Sequence, residues 1–159
     1  MNKLNLPQWA HVVEIATGIV VIISLIFVGV EIKQNTDAIK MQAYGETMDR
    51  LDFRSYTLAT DPDMHRIATS AERSRSELTA EEWSRFAHFT LPHLAAWEFI
   101  FDAHTKDNVD WHQWQGFDRY FIQYHCLPGS AQRAIYHEYI DIWSDPFSAH
   151  IAEVEKTRC

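Results

Sequence analysis

The chain has 159 residues and a formal net charge of −8. That length suffices for one domain with a hydrophobic core and is short for two. Almost all the charge follows residue 30, because the first thirty residues hold one Lys and one Glu. So acidic a remainder is repelled by nucleic-acid phosphates and anionic headgroups, which argues against nucleic acid as a partner.

The first element is the apolar stretch Ala10 to Val30, AHVVEIATGIVVIISLIFVGV. From Ile15 to Val30 it carries no charge, and Glu14 and His11 are the only ionisable groups before that. As a helix it spans about 31 Å, the thickness of a hydrocarbon core. Its Val and Ile residues do not argue for a strand, since a lone segment in lipid satisfies its own backbone only as a helix. Trp9 stands where an indole favours the headgroup level. A secretory signal would want a basic start, a shorter apolar run and a small-residue exit. The chain offers Lys3, an intruding Glu14 and only Val28-Gly29-Val30, so an uncleaved anchor is the better reading; a buried core helix is the alternative. The sequence divides into an anchor, residues 1–30, and a soluble domain, residues 31–159.

Lys3 stands alone before the span, whereas Lys33, Lys40 and Arg50 follow it. The positive-inside tendency puts the soluble domain in the cytoplasm. Cys126 and Cys159, few and far apart, read as a reduced pair rather than a disulfide.

After the anchor, Met41, Tyr44, Met48, Leu51 and Leu58 recur at helical spacing and predict an inward face, with Gln34-Asn35-Thr36 as a continuous or slightly broken step. Asp61-Pro62 opens a short helix to about Glu72, with Met64, Ile67 and Ala68 inward. Thr79 and Glu82 form a capping box for a helix from Ala80 to about His104. That helix is apolar on nearly every side, as one surrounded by others would be, and Pro92 should kink it. Asp110 is placed to cap a helix from Trp111 to about His125, facing inward through Trp114, Phe117, Phe121 and Tyr124. Pro128-Gly129-Ser130 breaks the chain before a helix from Ala131 to about Trp143. Asp145-Pro146 opens the last, with Phe147, Ile151 and Val154 inward. The expected fold is all-α: one N-terminal transmembrane helix followed by an irregular bundle of about six helices.

The polar step Glu31 to Thr36 after a single N-terminal membrane helix resembles a family of small uncharacterised bacterial membrane proteins. The similarity continues through Thr79-Ala80-Glu81-Glu82, Trp97-Glu98-Phe99, Asp110 to Phe117, Pro128-Gly129 and Trp143-Ser144-Asp145-Pro146-Phe147, nearly the whole chain. A Gly associated with the turn before Val109-Asp110 is Asn108 here, which also tolerates a left-handed conformation. The resemblance implies a bacterial inner-membrane protein and supplies no catalytic residues or cofactor.

Nine histidines invite a metal hypothesis. Asp61/His65, His137/Asp141 and His150/Glu153 have ligand spacing on a helix, but HExxH, CxxC and repeated Glu-x-x-His are missing from the sequence. Nucleophile elbows and Gly-rich phosphate loops are likewise missing. Glu98, among Trp97, Phe99, Ile100 and Phe101, reads as a buried carboxylate that needs a partner, with Arg119, a His or a Tyr as candidates. In the anchor, Ala10, Glu14, Thr17, Val21, Ser24 and Val28 share one face, flanked by Gly18 and Gly29. Small residues there permit close approach of another helix. Three functions follow. The leading one is a membrane-anchored interaction or scaffold module, self-associating or paired with a partner transmembrane helix. The others are a metal-binding protein or enzyme using Glu98 and nearby His, and a small oligomeric channel or membrane effector with Glu14 facing its axis.

Overall fold

The computed structural model describes residues 6–159, and their side chains from residue 9. Lys3, on which the charge asymmetry leans, lies outside the described residues. The fold is all-α: six α-helices and two short 3-10 turns, with no strand among the described residues. It divides into two compact units, Met1–Ile39 and Lys40–Cys159.

Helix α1, Leu6–Thr60, contributes to both. The Gln34-Asn35-Thr36 step does not interrupt it; the Thr36 hydroxyl donates to the Ile32 carbonyl at 2.9 Å, so the helix absorbs the polar residue. In the first unit this helix is long and apolar enough to cross a membrane, and none of its most apolar stretch is buried. Apolar side chains are exposed all round it, Ile15, Ile19, Leu25, Ile26 and Phe27 among them.

In the second unit the inward face of α1 is shifted from the expected one. Met41 is 78% exposed, whereas Ala43 and Thr47 are buried and Met48, Leu51 and Leu58 pack against the core. Thr47 can be buried because its hydroxyl donates to Ala43 at 2.9 Å. Helix α2, Pro62–Arg73, starts where expected: Asp61 accepts from the backbone N–H of Asp63 and Met64. Met64, Ile67 and Ala68 face inward, joined by Ala71. A 3-10 turn, Arg75–Glu77, leads to α3, Ala80–Thr105, whose capping box is present in both directions. Helix α3 continues through Pro92 and packs against α2, α4, α5 and α6, so it is the centre of the bundle.

The turn after α3 departs from expectation in one residue. Asp107 (φ 58°), not Asn108, is left-handed. Asn108 N–H then reaches the Ala103 carbonyl at 2.8 Å and Asp107 N–H that of His104 at 3.0 Å, closing the helix end. Helix α4, Trp111–His125, has Asp110 at its N-cap without a side-chain cap bond, because that carboxylate takes Lys40 Nζ at 3.0 Å. Gly129 turns the chain at φ 72°. Helix α5 is Ala131–Glu138, shorter than expected. Trp143 Nε1 donates to the Tyr136 carbonyl at 3.2 Å, and residues Ile140–Ile142 form a 3-10 turn. Helix α6 is Asp145–Arg158, with Phe147, Ile151 and Val154 buried.

The cysteines correct the expectation of a reduced pair. The fold brings Cys126, at the end of α4, and Cys159, after α6, to a Cα separation of 4.7 Å and joins them in a disulfide closing 33 residues. Constraining a loop of that size in the unfolded chain is worth about 3–4 kcal/mol. Cys159→Ser should therefore lower the unfolding free energy of the second unit by about 3 kcal/mol. Denaturant melts of wild type with and without reductant should show the same difference.

Candidate functional site

The polar interior of the second unit is organised by two carboxylates. Asp118 is buried because α4 turns it to the same face as Trp114, Phe121 and Ile122. It accepts from Trp97 Nε1 at 3.1 Å and pairs with His150 Nε2 at 2.8 Å, with Arg158 Nη1 at 3.9 Å. Glu155 of α6 pairs with His125 Nε2 at 2.8 Å and His137 Nε2 at 2.9 Å. Burial alone would raise the Glu155 pKa; hydrogen bonds and charge from the two imidazoles outweigh it and hold the carboxyl below its ordinary value. Burial lowers His125 against the opposing pull of Glu155. The neutral imidazole therefore donates through Nε2–H, and its buried Nδ1 is left as a lone pair without a donor.

These contacts replace the helix-local pairs expected for metal binding. His150 meets Asp118 rather than Glu153, His137 meets Glu155 rather than Asp141, and Asp61 is engaged as a helix cap. Among the described residues no group of three or more His, Cys, Asp or Glu is placed to hold a metal ion. Chemically, each node is a carboxylate saturated by imidazole or indole donors, an arrangement that fixes helices against one another.

Glu98 and Arg119 do not form the expected buried pair. Arg119 is exposed, and Glu98 is half-buried, accepting from the Ser144 backbone N–H at 2.8 Å. Ser144 is the N-cap of α6, so Glu98 supplies from α3 the cap that α6 lacks in its own side chains. The buried carboxylate on α4 is Asp118, one residue before Arg119.

The anchor residues Ala10, Glu14, Thr17, Gly18, Val21, Ser24 and Val28 all lie exposed on α1. The Thr17 and Ser24 hydroxyls donate to the Val13 and Val20 carbonyls, each at 2.8 Å, so they are satisfied within the helix. Glu14 lies 3.6 Å from His11. A Cβ added at Gly18 would meet nothing within 4 Å.

A separate groove lies within the second unit between α1 and α4. It measures about 620 Å³ and is lined by Tyr44, Met48, Leu51, Phe117 and Tyr120, with Asp52 and His112 among its polar groups. That is the size of an ordinary ligand cleft, open along one side.

No family model, curated protein or solved structure matches this chain.

The sequence reading passes over Asp118, His125, Glu155 and Arg54. For the first two a signal existed: the helical phase of Trp114 and Phe121 carries Asp118 and His125 inward with them. Their partners come from other helices, 21 to 32 residues away, which no local spacing reveals.

The two carboxylates give a ranked expectation. Glu98→Ala should cost about 1 kcal/mol, the size of a lost helix cap. Asp118→Ala should cost about 3 kcal/mol, because it leaves a buried indole N–H and an imidazole without their acceptor. Urea melts of the two variants measure the order, and the reverse order would move the polar anchor of the bundle to Glu98.

Proposed function

We propose that this protein is a membrane-anchored helical interaction module that self-associates through its anchor. The observation that carries the reading is the complete exposure of the apolar part of α1. A core helix would bury such a surface inside its own domain. A continuous apolar girdle of this extent in water would drive aggregation, and a bilayer is the solvent that suits it on all sides. The resemblance to small bacterial membrane proteins implies a bacterial inner membrane as that bilayer.

Within that girdle the Ala10, Glu14, Thr17, Gly18, Val21, Ser24 and Val28 face is the one a second helix can approach. The Thr17 and Ser24 hydroxyls fold back on their own helix, and with Ala10 and Gly18 they keep much of the face small. Interhelical polar contacts in membranes average about 0.6 kcal/mol, so packing along the whole face must hold the pair. The α1/α4 groove adds an apolar-lined cleft to the second unit, in keeping with a binding role.

The orientation rests on two opposed signals. Lys33, Lys40 and Arg50 favour the cytoplasmic side. The Cys126–Cys159 disulfide favours an oxidising compartment, since cytosolic thiol pools keep such bonds reduced. We weight the disulfide more: it requires the folded unit to bring both cysteines to bonding distance, whereas the charge excess is small. The second unit is accordingly proposed to face the oxidising side.

Two measurements test this reading. Replacing Gly18 and Ser24 together by Leu should abolish anchor crosslinking in membranes while insertion persists, since Leu suits lipid. The same exchange at Ile19, Ile23 and Ile26 should leave crosslinking intact. A strictly monomeric wild type would end the self-association reading. Separately, a reporter that folds only in an oxidising compartment, fused after Cys159, should be active; a silent reporter with a stably inserted fusion returns the unit to the cytoplasm.

A further inference from the structure

Most arginines in ion pairs here are solvent-exposed, as in the Arg66 and Arg85 contacts with Asp63. Arg54, in the part of α1 that belongs to the second unit, is different. Its guanidinium carbon lies 4.8 Å above the centre of the Phe89 ring, and its Nη1 is buried with no acceptor among the described residues. The elements packed around it bring no carboxylate into contact. From α3 come Phe89 and His93. From α4 come the Tyr120 and Tyr124 phenols, and from α2 comes Glu72, which acts on it only at longer range. His93 is 2% exposed and held neutral, its pKa lowered to about 3 by burial and then by the Arg54 charge, so it brings no counter-charge either. A guanidinium stays protonated under such conditions, and a buried N–H of a cation that lacks an acceptor is costly.

A cavity of about 30 Å³ adjoins this group, with Arg54, Glu72, Tyr124, Ser130 and Gln132 in its lining. That is room for about two waters, or for one monatomic ion. The Ser130 hydroxyl is already committed, donating to the Tyr124 carbonyl at 2.8 Å and accepting from Arg133 N–H at 3.1 Å. Arg54 is the one cationic residue in the lining, and Glu72 the one anionic residue. We propose that this cavity binds a small monovalent anion of halide size, chloride being the natural occupant, held against the Arg54 guanidinium. The competing source of negative charge is the chain itself: Glu72, exposed at the rim, would supply the counter-charge if its side chain swung onto Nη1.

The experiment uses the full chain in mild detergent, with chloride exchanged for gluconate at constant sodium concentration. Thermal stability should rise saturably with chloride and should do so equally with bromide, while bulky gluconate gives no rise. Arg54→Gln should lose the halide response. Glu72→Gln, which removes the competitor, should keep it and shift its midpoint several-fold to lower chloride. Equal melting in chloride and gluconate would overturn the proposal. So would a halide response that survives Arg54→Gln, which would mark an adventitious ion elsewhere. Should Arg54→Gln fail to fold, the Glu72→Gln midpoint decides alone, and an unshifted midpoint overturns the site.

Discussion

The second unit depends on one hydrogen bond, from the Trp97 indole to Asp118. Trp97 is fully buried at the centre of α3, stacked on Phe121 at 5.4 Å and met edge-on by Phe147 and His125. So large an apolar group belongs in a core, but its N–H does not unless an acceptor goes with it. Asp118 is that acceptor, and as a buried carboxylate it needs further donors of its own. Helix α6 provides them with His150 and Arg158. The docking of the last helix thus follows from the burial of an aromatic ring three helices earlier. Glu98 adds the complementary constraint by binding the N-terminal end of the same helix.

This dependence explains which parts of the fold could be read in advance. Helix starts are local, so Asp61, the Thr79–Glu82 box and Ser130 were legible from a few adjacent residues and stand as expected. Helix ends were less so. The early end of α5 turns on Trp143, whose indole takes a carbonyl that a longer helix would have used for itself. The inward face of α1 was misplaced toward Met41 because large apolar residues outweigh small ones in any periodicity. At a close helix contact the buried residues are instead Ala43 and a self-satisfied Thr47.

The candidate polar sites were legible only in part, and for a physical reason. Helical periodicity tells which residues turn inward, and on that basis Asp118 and His125 were available to be found. It does not tell what they meet, because a partner on another helix is set by packing. The reading of Glu98 shows the same limit. Its neighbours on α3 are apolar, yet its carboxylate sits at the margin of the core, where the first turn of α6 offers an unpaired backbone N–H. The disulfide is the extreme case: two cysteines 33 residues apart carry no sign of proximity until the ends of α4 and α6 meet.

Helix α6 is consequently the element whose attachment is most exposed to its surroundings. The disulfide holds its end only where thiols stay oxidised. The Glu155 carboxylate holds it through His125 and His137, and its lowered pKa fixes the sign of the pH effect. That contribution is full above the ordinary carboxylate value and is lost as pH falls through the folded one. The buried histidines act in the same direction. His125 and His93 are kept neutral in the fold, so below their ordinary value near 6.5 the unfolded chain takes up protons that the folded chain does not. For His93 that loss continues down to about 3. Acid and reductant therefore both act on the tie between the end of α4 and α6, through the His125–Glu155 pair and the Cys126–Cys159 bond. A compartment that is oxidising and near neutral is the one in which every tie on α6 is made at once.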